Sequence, residues 1–189
     1  MNIHVTQAAE GLKRRGFTIA DVERMVEIGV LGEDERFELI GGEIVPMSPK
    51  GIRHERVKQW FTYELVRGLP ERFITIPETT FRLSEDTFLE PDFVVYAAAD
   101  GLENLSGKTC LLAIEVSNTS LAYDRGRKGE VYAEFGVPQL WVVDVKALET
   151  RVFSKPADGR CSSVQDFKTD ALLTPLLVDD FSISLKTYA

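Results

Sequence analysis

The sequence predicts a mixed α/β (α+β) fold, a mixed β-sheet flanked by helices, on three observations. Apolar runs at about 109–117 and 139–145 enclose a helical pattern at about 121–135, the strand, helix, strand order of a crossover unit. Residues 52–67 carry apolar side chains at helical spacing. A Gly41-Gly42 pair between two short apolar runs marks a tight hairpin whose turn needs positive φ. With 189 residues, 44% hydrophobic and 28% charged, and no repeat or Pro/Gly/Ser linker, residues 17–189 read as one domain and residues 1–16 as an N-terminal arm.

The elements follow in chain order. Thr18 can cap a first helix, with Phe17 and Val22 placed as a hydrophobic staple and Val22, Met25 and Val26 as its buried stripe. The hairpin spans Phe37 to Val45, and Pro46 and Pro49 end it. The second helix, about Ile52 to Arg67, lines up Val57, Trp60, Phe61 and Leu65 before Gly68 and Pro70 stop it. Strands are expected at about 72–83, 92–97, 109–117, 139–145 and 150–154, and the short apolar runs between Cys161 and Ala189 add edge structure.

Composition excludes several classes. Thirty acidic against 22 basic residues give a net charge of −8, so nucleic acid cannot be coated by overall charge and any phosphate contact must be local. Two cysteines, Cys110 and Cys161, make no disulfide scaffold and read as free thiols. No apolar run approaches the roughly 20 residues that span a bilayer. Lys13, Arg14 and Arg15 precede no apolar stretch of a secretory signal, so a cytoplasmic location without membrane contact is expected.

Two acids stand where core strands should be apolar. Leu111-Leu112-Ala113-Ile114-Glu115-Val116-Ser117 is apolar on both faces except for one carboxylate, and Asp92 opens the apolar run Phe93 to Tyr96. A single such acid pairs with a buried cation or caps a turn as a rule, because an unpaired buried carboxylate costs several kcal/mol. Two on neighbouring strands repel unless one is protonated or a cation lies between them. A divalent metal is the natural third party, and all-oxygen ligation favours Mg²⁺ or Mn²⁺.

The helix after Glu115 supplies a lysine. With Asp124 at zero and about 100° per residue, Lys128 falls at about 40°, Val131 at about 340°, Tyr132 at about 80° and Phe135 at about 20°. Lys128 and Asp124 therefore share the face that packs on the sheet, where a lysine either snorkels to solvent or reaches the carboxylates. His54, three residues before Val57, lies at the inward end of the second helix's stripe. Glu43 alternates with Val45, and its face is undetermined by sequence. Both are second-rank site candidates, together with Ser117 and Asp124.

Pro91-Asp92 followed after 23 positions by Glu115-Val116-Ser117 resembles the motif of the PD-(D/E)XK nuclease superfamily. A wider ordered set resembles one branch of it, the Uma-two family of restriction-endonuclease-like proteins. That set comprises Phe37 to Pro49, His54, Glu90 to Val95, Ile114 to Ser117, Asp124 to Lys128 with Tyr132, and Gly136 to Asp144, covering most of residues 37–145. The resemblance implies a restriction-endonuclease-like fold and metal-dependent hydrolysis of DNA phosphodiesters. It makes Asp92, Glu115 and Lys128 the catalytic residues and Asp92 and Glu115 the metal ligands. The chain departs from the superfamily where a lysine is expected two residues after the acid: Ser117 stands there, on the same face as Glu115 but uncharged. In the resembled branch the lysine lies on the following helix, where the wheel already puts Lys128 inward. Asp124 then either bonds Lys128 or caps the helix, the second being the expected use, and Asp144 is read as ending its strand.

Arg53, Arg56 and Lys58 on one helix start and Arg125 and Arg127 beside Lys128 on the other are candidate phosphate contacts, though such clusters also serve as solvated surface. A homodimer suits a nuclease that cuts both strands. Two other readings stand beside this one. Ser117 and the acidic balance suit a weakly active or inactive nuclease-fold protein used in protein association, and the same site suits a hydrolase of another phosphoester or nucleotide.

Overall fold

A computed structural model describes residues 15–188. Of the arm expected at 1–16, all but Arg15 and Gly16 lies outside the described residues. The helices are α1 (Ile19–Glu27), α2 (Ile52–Gly68) and α3, which runs without a break through an α turn at Leu121–Tyr123, a π-helical stretch at Asp124–Lys128 and an α segment at Gly129–Glu134. The strands are β1 (Phe37–Ile40), β2 (Glu43–Pro46), β3 (Phe73–Pro77), β4 (Phe81–Arg82), β5 (Phe88–Leu89), β6 (Phe93–Ala97), β7 (Cys110–Ser117), β8 (Gln139–Asp144), β9 (Glu149–Ala157) and β10 (Arg160–Phe167).

They form a six-stranded sheet in the order β10-β9-β8-β7-β6-β3 and a four-stranded one in the order β2-β1-β5-β4. Only β7 and β8 pair in parallel, joined by α3, so the large sheet is mixed and the crossover expected at 109–145 is present. Among the described residues no helix is long and apolar enough to cross a membrane.

Alternation along β7 sorts the layers. Leu112, Ile114 and Val116 pack with Val57, Phe61 and Leu65 of α2 and with Val178, Phe181 and Ile183 of the C-terminal segment. Ala113 on the opposite face packs with Val131 and Tyr132 of α3 and with Ile40, Phe81 and Leu89 of the small sheet. Each of the three α2 side chains contributes about 1.5–3 kcal/mol by leaving water, which fixes the start of that helix against the sheet. The outer face of the small sheet is covered by Ile19 and Val22 of α1, whose Thr18 and Asp21 form a reciprocal capping box. Met25 and Val26 are only half-buried.

Several elements differ from expectation. The strand expected at 72–83 is broken at Glu78, whose φ of 47° turns the chain from the large sheet into the small one. The Gly41-Gly42 turn has φ of 57° and 79°, as a two-residue hairpin of primed type needs. The edge strand is β10, outside the strands the sequence predicts and joined to β9 by an Asp158-Gly159 turn with φ of 51° and 73°, whereas the apolar runs at 172–178 form no strand and pair only through an isolated bridge from Leu173 to Ile183.

Candidate functional site

The β6–β7 register puts Phe93 opposite Ile114, and continuing it by one residue sets Asp92 opposite Glu115. Residues opposite one another in an antiparallel pair share a face, so the two carboxylates project to the same side. They line a cavity of about 520 Å³ at the ends of these strands, walled by the β2–α2 segment, the start of α2 and the start of α3.

Asp92 is buried and fully engaged. Its Oδ1 meets Lys50 Nζ at 2.7 Å, its Oδ2 accepts the Val116 backbone N–H at 2.8 Å, and His54 Nε2 lies 3.2 Å from Oδ1 and 3.3 Å from Oδ2. Burial works against its charge, but the His54 hydrogen bond and the Lys50 ammonium hold it down to about 2. Glu115 is also buried, with Oε1 accepting from Tyr132 Oη at 2.6 Å and from Lys128 Nζ at 2.7 Å. Burial pushes it up to about 8, Lys128 opposes that, and Asp124, Asp92 and Glu38 add to it.

Lys128 lies inside and does not snorkel: only 3% of its surface is exposed. Its ammonium sits 2.7 Å from Glu115 Oε1, 2.9 Å from Glu38 Oε1 and 3.9 Å from Asp124 Oδ1. Burial alone would discharge it; these three acids override that and raise its pKa, so it is an ammonium at neutral pH. The π-helical stretch carries the residue: Asp124 and Lys128 at its two ends are buried, Arg125 is half-buried, and Gly126 and Arg127 are exposed. Such stretches recur at functional sites.

The remaining expected residues fall into two groups. His54 joins the cavity through Asp92, as above. Ser117 shares the Glu115 face, yet its Oγ donates to Asp124 Oδ2 at 2.6 Å and so positions Asp124. Asp124 does not cap the helix, which begins one turn earlier with Ser120 at its N-cap; it accepts from Ser120 Oγ at 2.6 Å and stands near Lys128. Glu43 is exposed and does not line the cavity. It shares the face of Glu38, since Ile40 pairs with Glu43 and Glu38 with Val45, but lies at the turn end of the hairpin, two residues along the strand and so about 7 Å further away.

None of the expected phosphate contacts lines the cavity. Arg53 and Arg56 are exposed, Arg127 points to Glu130 at 3.7 Å, and Lys58 turns to Glu78 at 3.1 Å and Glu55 at 3.4 Å. Arg125 is half-buried, and its Nε has no partner among the described residues.

Three wall residues escaped the sequence reading. Glu38, 2% exposed, shares the Lys128 ammonium and accepts the Glu90 N–H at 3.0 Å. Lys50 holds Asp92. Among the described residues the buried Tyr123 hydroxyl has no hydrogen-bond partner, and burial and the charge on Glu38 push it up to about 12. A glutamate inside the apolar run Phe37-Glu38-Leu39-Ile40 is the available signal for the first; Lys50 lies in a stretch without periodicity and carries none.

The walls carry five acids, Glu38, Glu90, Asp92, Glu115 and Asp124, against two lysines, Lys50 and Lys128. Among the described residues no three Asp, Glu, His or Cys side chains stand together as a ready-made ligand set. The donor chemistry nevertheless fits a hard divalent cation: Asp92 and Glu115 offer oxygen donors on one face, and Glu38, Glu90 and Asp124 add carboxylates to the same walls.

The family model for Uma2, described as "Putative restriction endonuclease", matches residues 19–186. No curated protein matches the chain. Among solved structures, the fold is similar to the crystal structure of a "putative nuclease belonging to DUF820" from Anabaena variabilis, with a TM-score of 0.69 and 16% identity over 90% of this chain and 96% of that one. At that identity the likeness is one of fold.

Proposed function

The chain belongs to the Uma2 family, and from that premise we propose that it is a metal-dependent endonuclease that hydrolyses phosphodiester bonds in DNA, with Asp92, Glu115 and Lys128 as catalytic residues. The observation that supports this most is the pairing of two buried carboxylates on one sheet face with a buried ammonium 2.7 Å from the second of them. Asp92 and Glu115 would hold a Mg²⁺ or Mn²⁺ ion, whose chemistry is to lower the pKa of a bound water and polarise the scissile phosphate.

The chain's own groups prepare that site. The Val116 N–H and His54 fix the orientation of Asp92, and Tyr132 fixes that of Glu115. Glu38 and Glu115 hold Lys128 from two sides, so its charge is already in place to orient the attacking water and to offset negative charge as it develops on the phosphate. Ser117 and Ser120 hold Asp124, which tethers the start of the π-helical stretch to the end of β7. The unpartnered Tyr123 hydroxyl is a donor available to a substrate oxygen. Two copies acting together, a homodimer, would suit cleavage of both strands.

Nicking of supercoiled plasmid in Mg²⁺ or Mn²⁺ tests the assignment. Wild type is expected to nick, and Asp92→Asn, Glu115→Gln and Lys128→Met each to slow nicking by roughly 10²–10³-fold, the usual cost of losing one charge-stabilising group. Variants that nick at the wild-type rate would place the site elsewhere. Hydrolysis of nucleotides or other phosphoesters without plasmid nicking would change the substrate class, and loss of all activity together with loss of Mn²⁺ binding would favour a protein-association role.

A further inference from the structure

Lys50 is the one cationic wall residue that the mechanism leaves unused. It belongs to a closed ring of charged contacts: Asp92 to Lys50 at 2.7 Å, Lys50 to Glu78 at 2.9 Å, Glu78 to Lys58 at 3.1 Å, Lys58 to Glu55 at 3.4 Å, Glu55 to His54 at 3.1 Å and His54 back to Asp92 at 3.2 Å. Within that ring Lys50 has one partner inside the cavity, Asp92, and one at the rim, Glu78, whose side chain is 34% exposed. Glu78 is held in place by Arg36 at 3.2 Å as well as by Lys58. Burial opposes its charge, yet the two lysines hold it down to about 2, so it remains an anion.

Resting on the metal-site reading above, we propose that Lys50 is a displaceable cation of the site, which occupies Asp92 in the metal-free chain, yields that carboxylate to a divalent ion, and then presents its ammonium to a phosphate of the DNA. Three features carry this. Lys50 Nζ takes the Asp92 oxygen that a metal would need, and a lysine and a divalent cation cannot both sit on it. Lys50 stands in the irregular segment between β2 and α2, on a flexible four-carbon stem with Glu78 as a second partner, whereas Lys128 is fixed in a helix among three acids. Finally, Arg53, Arg56, Arg125 and Arg127 do not line the cavity, so among the described residues the ammonium groups on its walls are those of Lys50 and Lys128. Lys128 is fixed among its acids, which leaves Lys50 to face a phosphate. Divalent-ion binding and DNA binding are then positively coupled through one side chain, and such coupling is reciprocal.

The experiment titrates Mn²⁺ alone into wild type, Lys50→Met and Lys58→Met by calorimetry. It then measures binding of a fluorescent duplex to the same proteins with and without Ca²⁺ as a divalent ion for binding. Lys58→Met removes the same charge from the same ring without touching Asp92. Lys50→Met is expected to bind Mn²⁺ roughly tenfold tighter than wild type, within the 5–150-fold range usual for coupled sites, and Lys58→Met within twofold of wild type. The gain in duplex affinity on adding Ca²⁺ is expected to shrink in Lys50→Met and to persist in Lys58→Met. Mn²⁺ binding by Lys50→Met but not by wild type would support the proposal still more strongly. Equal Mn²⁺ affinity in all three proteins, equal shifts in the two variants, or an unchanged Ca²⁺ gain in Lys50→Met would overturn it and leave the metal site standing. Absence of Mn²⁺ binding in every protein would overturn both.

Discussion

Replacing Lys128 by Met should destabilise the fold by an amount that depends on pH. The ammonium removed lies 2.7 Å from Glu115 Oε1, 2.9 Å from Glu38 Oε1 and 3.9 Å from Asp124 Oδ1, all buried. Breaking a buried ion pair by deleting one partner costs about 3–5 kcal/mol, because the other charge stays desolvated and unpaired. For a chain of this size that lowers Tm by about 6–20 °C. The sign of the pH effect follows from linkage. A carboxyl whose folded pKa is raised loses folded-state stability as pH climbs from its unfolded value to its folded one, and loses none below both. Glu115 is already pushed up to about 8 with Lys128 present, by burial before any other cause, and without Lys128 it must rise further. Below 8 both proteins keep the proton on folded Glu115, so the deficit should be nearly constant from pH 5 to 7 and widen as pH climbs above 8, where wild type ionises Glu115 against Lys128 and the variant cannot. Urea or thermal unfolding in chelator at pH 7 and pH 9.5 measures it. A deficit below about 1 kcal/mol at pH 7, or an equal one at both pH values, would refute the burial and pairing argued for this lysine.

Further outcomes follow from the same geometry. Mn²⁺ affinity should rise about tenfold per pH unit between pH 6 and 7.5 and level off above 8, because the ion must displace the proton that burial keeps on Glu115; calorimetry showing a flat profile would contradict this. Asp92, lowered to about 2, contributes stability that is present above its unfolded value of 3.8 and lost as pH falls through 2, so acid unfolding of Asp92→Asn should lack that part of the slope between pH 4 and 2. A Cβ on Gly107 would collide with the Phe135 carbonyl oxygen at the end of α3, so Gly107→Ala should cost about 1–3 kcal/mol, as overpacking does, read as a lower urea midpoint.

Much of the site was legible because burial constrains charge. Glu115 in an otherwise apolar strand, Asp92 at the head of another and Lys128 on a helical stripe each contradict their local pattern, and the structure brings all three to one cavity. Glu38 contradicts its pattern just as plainly. Its strand of only four residues is buried throughout, on one side by α1 and on the other by the large sheet, so no alternation separates a wet face from a dry one. Lys50 stands in a segment without periodicity, where nothing in sequence distinguishes a site residue from a solvated one. In the fold, β10 was missed as a strand because its side chains are largely exposed on an edge, although Asp158-Gly159 is a strong hairpin signal. The break at Glu78 depends on tertiary pairing: the chain changes sheets there while the Glu78 N–H reaches the Asp92 carbonyl at 3.3 Å.

Anomalous diffraction from a crystal soaked in MnCl₂ shows whether Asp92 and Glu115 jointly hold a divalent cation with Lys128 beside it. The expected result is a manganese peak bonded to oxygens of both Asp92 and Glu115, with Lys50 withdrawn from Asp92. A soaked crystal in which Lys50 stays on Asp92 and manganese is absent from both carboxylates would refute a metal site there.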